Sequence, residues 1–192
     1  GIPNMSLVRN RLLAAIALAL TLSTGAASVT LAQDATPATS PVAASSTAAG
    51  SIELTGLISN PGPVSVADLQ SLPTQTVEVD FESGKGPQHH AYTGVLLWYV
   101  LSQAGVLTDE EIKNDILRFY AMVTANDGYQ VLISLGEIDP QFGNSPYLLA
   151  WDEDGAPLEG DSGPLRLVVP GDVHGGRYVS GLVSIEIVDA AP

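Results

Sequence analysis

Residues 81–98 read FESGKGPQHHAYTGVLLW and place Ser83, Gly84, Lys85, His89 and His90 in one short span. Such groups can cradle a phosphate, ligate a metal, or supply a nucleophile beside a base. The Ser-Gly-Lys-Gly run invites a phosphate-loop reading, which needs Gly-x4-Gly-Lys-Ser/Thr. Val79 stands where the first glycine belongs and Gly86 where the magnesium-binding hydroxyl belongs, so nucleotide binding is set aside. Ser83 with Lys85 as its base is a nucleophile pattern, but one of low specificity.

His89 and His90 are adjacent, and neighbours on a strand point to opposite faces. They are not expected to chelate one ion together. One of them with His174 and a carboxylate would make a three-ligand zinc set; exposed loop histidines are the plainer reading, so no metal ligand is assigned. The acidic run DEDGAPLEGD does not keep the spacing of a calcium loop, and a type I′ turn at Asp154-Gly155 accounts for it better. Neither G-x-S-x-G nor H-E-x-x-H occurs. Arg166 and Arg177 lie in Gly/Pro-rich stretches, GPLRLVVPG and HGGRY. An arginine beside such backbone can seat an anion through its planar fork and free N–H groups. The competing reading is an ion pair with one of the many carboxylates.

These groups must be positioned by a strand-rich domain. SIELTGLI alternates as a strand, and SVADLQSLP reads as a short helix with Ser65 and Asp68 as a capping box. TVEVDFE places Val77, Val79 and Phe81 on one face and Glu78, Asp80 and Glu82 on the other. GVLLWYVLSQAG reads as a helix closed by Gly105. LRFYAMVTA and YQVLISL are strands joined at Asn126 to Gly128. PYLLAWDEDGAPL, GPLRLVVPG and LVSIEIVD supply the remaining strands. The expected class is α+β, with mostly antiparallel or mixed sheets and a few short helices.

The 192 residues carry 7 Lys+Arg against 21 Asp+Glu and no cysteine. Arg9, Arg11 and Asp34 are the only charged residues before residue 51, so residues 51–192 hold 5 basic and 20 acidic groups, a net of −15. Such acidity disfavours nucleic acid and anionic lipid. Residues 1–32 read as a secretory signal peptide behind a short extension at 1–4: Met5 starts it, Arg9 and Arg11 precede an apolar run, and small residues follow. Retained as an anchor, this segment would be the one route to a membrane. Residues 33–50, rich in Ala, Thr, Ser and Pro, read as a disordered linker. The folded domain is expected over 51–192, in a bacterial, extracytoplasmic protein.

The order of segments resembles the molybdopterin-binding domain of the sulfite oxidase family. YTGVLLWYVLSQAGV and LLAWDEDGAPLEGDSGPLRLVVPG carry the most specific likeness, and it extends over about residues 51–189. The resemblance implies that fold, an oxidoreductase heritage and a pterin cofactor whose molybdenum is held by a protein cysteine near Glu82 or Ser83. Here no cysteine is present. Ser180 and Gly181 replace the family's Lys-Trp, and Ser162 lies where a histidine is usual. Arg166 matches the Pro-Leu-Arg arginine, and Arg177 lies in the Gly-rich turn that the family places near the cofactor. The cofactor is therefore left unknown. The expected ligand-binding residues are Ser83, Gly84, Lys85, His89, His90, Arg166, His174 and Arg177, and the expected ligand is a small anion or a pterin. The favoured function is a cofactor-free binding or interaction module. Alternatives are an oxidoreductase with a non-cysteine metal ligand and a metal-binding protein using His89, His90 and His174.

Overall fold

A computed structural model describes residues 50–191. The signal peptide over 1–32 and all but the last residue of the linker over 33–50 lie outside the described residues. The strands are β1 (Ser51–Gly56), β2 (Gly62–Ser65), β3 (Thr74–Ser83), β4 (Gly86–Leu96), β5 (Phe119–Ala125), β6 (Gln130–Ser134), β7 (Leu148–Glu153), β8 (Ala156–Pro157), β9 (Arg166–Val168), β10 (Val179–Ser180) and β11 (Leu182–Asp189). Three short helices accompany them: α1 (Val66–Gln70), α2 (Leu97–Ala104) and α3 (Leu135–Ile138).

The strands form two sheets, one ordered β2-β1-β11-β5-β6 and the other β10-β9-β7-β4-β3, with β8 added to β7. The β1–β11 pair is parallel and every other ladder is antiparallel. This is the expected α+β class with mixed sheets. Both sheets feed one core: Ile52, Val123 and Ile185 come from the first, and Tyr92, Leu149 and Leu167 from the second, each essentially without solvent exposure. Removing such apolar side chains from water stabilises the fold by roughly 1.5–3 kcal/mol each.

Local chemistry sets the element ends. The Ser65 hydroxyl accepts from the Asp68 N–H while the Asp68 carboxylate accepts from the Ser65 N–H, the reciprocal cap expected for α1. Gly105 ends α2 in the left-handed region at φ 74°, and its N–H donates to the Leu101 carbonyl. Among the described residues, no helix is long and apolar enough to cross a membrane.

Residues 81–98 correct one expectation. Residues 81–96 are not a loop between the TVEVDFE strand and the helix that follows but the end of β3, the turn and the return strand of a long hairpin, paired from Thr74 with Val95 to Ser83 with Gly86, and α2 begins only at Leu97. Gly94 to Leu96, expected in the helix, belong to β4. His, Gln, Ala and Gly are weak strand formers, so local preference hid β4. It forms because β3 pairs with it from Gly86 to Val95 and β7 adds a second ladder from Tyr92 to Leu96.

Candidate functional site

The hairpin turn builds the first wall of the site. The Ser83 hydroxyl donates to the Gly86 carbonyl at 3.1 Å and accepts from the Lys85 N–H at 3.1 Å. Both bonds close the turn, and they place Lys85 at its exposed tip. A cavity of about 460 Å³ opens beside it, lined by Ser83, Lys85, His90, Glu153, Ser162, Arg166 and Ser180 among others. A second cavity of about 480 Å³ shares Ser83, Gly84 and Arg166 and adds His174 with Gly175 and Gly176. A larger cavity of about 650 Å³, around Trp98, Asp109 and Asp139, contains none of the expected site residues.

Arg166 is the organising side chain. It starts β9, and its side chain is 16% exposed. Its Nη1 donates to the Tyr92 hydroxyl at 2.9 Å and to Glu153 Oε2 at 3.2 Å. The guanidinium carbon lies 5.3 Å from the Tyr92 ring centroid and 5.7 Å from that of Tyr178, within cation–π range. Phe81 stacks on Tyr178 with centroids 4.5 Å apart. Nη1 is held on two sides, whereas Nη2 makes no hydrogen bond among the described residues. Arg166 Nε and the Tyr178 hydroxyl are buried without partners. Burial raises both phenols, with Tyr178 pushed up to about 12, so they remain protonated at neutral pH.

The two histidines separate as strand neighbours should. His89 faces outward and pairs through Nδ1 with Asp80 at 2.8 Å, and that hydrogen bond raises its pKa. It lines neither cavity. His90 turns inward, its Nδ1 2.8 Å from Asp154 Oδ2 and 3.3 Å from Glu153 Oε1. The Ala91 N–H donates to Asp154 Oδ1, which with His90 holds that carboxyl below the usual range. His174 is exposed on the second cavity's wall, where its segment bridges in parallel to Glu82.

Arg177, expected at the site, lines neither cavity. Its Nε and Nη2 grip Asp172 at 2.8 and 2.6 Å, Nη1 donates to Glu137 at 3.0 Å, and Nη2 also reaches the Tyr147 hydroxyl at 3.2 Å. Those bonds, Asp172 foremost, raise its pKa. Every arm of the fork is engaged, so it serves as an ion-pair anchor. Tyr92, Glu153 and Tyr178 escaped the sequence reading. Tyr92 lies two residues beyond His90 and so shares its face, a signal that was present in the strand period. Glu153 arrives opposite Tyr92 through the β4–β7 ladder, which no local pattern announces.

The family model for the oxidoreductase molybdopterin binding domain matches residues 39–192. The chain belongs to this family. Among solved structures it is similar to the sulfane dehydrogenase SoxCD from Paracoccus pantotrophus, with 22% identity and a TM-score of 0.59 over 73% of this chain. This chain spans 38% of the length of that protein. At that identity the likeness concerns the fold. A search of curated proteins gives no match.

Proposed function

We propose that this molybdopterin-binding-family domain is an exported small-ligand module that seats an anion at Arg166 and Lys85 without a cysteine-ligated molybdenum. One observation carries the reading. The first cavity gathers two of the domain's five cations, Lys85 and Arg166, against the single carboxylate Glu153. Leaving His90 aside, its wall is net positive in a domain of net −15. Free Nη2 donors on Arg166 and the Ser162 and Ser180 hydroxyls supply hydrogen bonds for an oxyanion.

The donor set does not fit a thiolate-held molybdenum. Where the family resemblance places the cysteine stand Glu82 and Ser83. Glu82 is exposed, and its N–H is tied to the Val173 carbonyl. The Ser83 hydroxyl is already bonded twice within its turn. Oxygen donors are also harder than thiolate and favour different metals. Ser180 leaves the cavity without the family's lysine. A phosphate-bearing pterin would meet only Lys85 and Arg166.

The test uses the full chain produced in a host that makes molybdenum cofactor. Elemental analysis should find no stoichiometric molybdenum. In chelator-containing buffer, a panel of phosphate, small carboxylates and free pterins should include an anion that raises the melting temperature, and Arg166→Ala should abolish that rise. Stoichiometric molybdenum would instead establish an oxidoreductase with an oxygen-ligated metal. A flat response across the panel would remove the anion reading. Export is checked separately, by fractionating the producing cells.

A further inference from the structure

We propose that His90, Glu153 and Asp154 form a binding site for one divalent first-row transition metal of the zinc class. This goes beyond the anion reading and stands on different atoms. His90 Nδ1, Glu153 Oε1 and Asp154 Oδ2 converge, with Nδ1 3.3 Å from the first oxygen and 2.8 Å from the second, and one ligand atom from each residue lies within 4.8 Å of the others. Tetrahedral zinc with N and O ligands at about 2.1 Å separates its ligand atoms by roughly 3.4 Å. The side chains therefore stand close to ligand spacing before any ion arrives.

Each ligand is oriented by a second partner through its other atom. His90 Nε2 lies 3.4 Å from Gln88 Oε1, an acceptor for the proton when it sits on Nε2, and Nδ1 faces the two carboxylates, where an ion would take the place of the proton it shares with Asp154 Oδ2 at 2.8 Å. Glu153 accepts from Arg166 through Oε2, which leaves Oε1 for the ion. Asp154 accepts from the Ala91 N–H through Oδ1, which leaves Oδ2. This is the arrangement by which outer partners fix ligand geometry at metal sites. Once that proton is displaced, three lone-pair donors meet at one point, and a divalent cation balances the two carboxylate charges. Imidazole and carboxylate donors with no thiolate suit zinc and its first-row neighbours. His90 and Glu153 also line the first cavity, so coordination positions beyond these three open towards it.

The experiment titrates tag-free, chelator-stripped full chain with zinc alone, in buffer without added anions, and in parallel with cobalt(II). One zinc per chain is expected. Cobalt should give visible ligand-field absorption saturating at one equivalent and displaced by zinc. His90→Ala and Glu153→Gln should each weaken zinc binding at least about tenfold. His89→Ala, on the opposite face, should leave it unchanged. Absence of zinc binding by the native chain, absence of the cobalt bands, or undiminished affinity in His90→Ala would overturn the proposal. The native cobalt titration needs no variant to fold, and the anion panel is run in chelator, so each reading can fail without the other.

Discussion

Arg166 donates a 2.9 Å hydrogen bond through Nη1 to the hydroxyl of Tyr92, 74 residues earlier in the chain. The same nitrogen holds Glu153. The bond ties β9 to β4 across the intervening β7. Arg166→Ala leaves a half-buried carboxylate and a buried phenol without their donor. We expect a loss of about 3 kcal/mol of stability, read as a lowered urea midpoint with unchanged slope. Tyr92→Phe removes one neutral partner and should cost about 1 kcal/mol.

Arg177 gives the contrasting case. Its fork is spent on Asp172, Glu137 and Tyr147. The side chain is 35% exposed, so solvent weakens the pairs. Arg177→Ala should cost about 1–2 kcal/mol and leave anion affinity within about twofold. Parallel melting and ligand titration of this variant and Arg166→Ala separate anchor from binder.

Gly94 tests the close approach of β4 to β7. A Cβ there would collide with the backbone carbonyl of Leu149 and with Ala150, beside the irregularity in the ladder between Thr93 and Gly94. Backbone cannot swing aside as a side chain can. Gly94→Ala should destabilise by about 2–3 kcal/mol, measured by chemical denaturation.

Alkaline pH should unfold the domain through its buried phenols. Burial raises the Tyr178 hydroxyl to about 12 and also raises Tyr147. Above about pH 10 the unfolded chain loses these protons while the folded chain keeps them. The unfolded state then binds fewer protons, so stability falls as pH rises through that window. Absorbance at the tyrosinate band should show part of the signal delayed to about pH 12 or to unfolding. Tyr178→Phe should remove a share of that delayed signal; an unaltered curve would contradict the assignment.

Much of the architecture was legible because local chemistry and tertiary need agree there. The Ser65–Asp68 cap, Gly105 at the end of α2, and the turns at Asn126–Gly128 and Asp154–Gly155 are written in adjacent residues. The strand β4 was not, since its first half, Gly86–Ala91, lacks sheet-favouring side chains and is held extended by its pairing with β3. The site divides in the same way. Ser83, Gly84 and Lys85 share a turn, and Arg166 was marked by its own segment. The meeting of Tyr92 with Glu153 depends on a register set between strands more than 50 residues apart. The fates of His89 and Arg177 were settled by Asp80 and Asp172, two of many acids that a sequence cannot rank as partners.

The strand β3 lies at the border of its sheet, and its outward side chains Glu78, Asp80 and Glu82 are all exposed. A second molecule adding itself along that border would bring a row of like charges onto the same face. Near its far end the border is already occupied, because the Glu82 N–H is taken by the Val173 carbonyl. The domain thus guards this long border strand against runaway strand addition by charge along its second half and by its own chain at the tip.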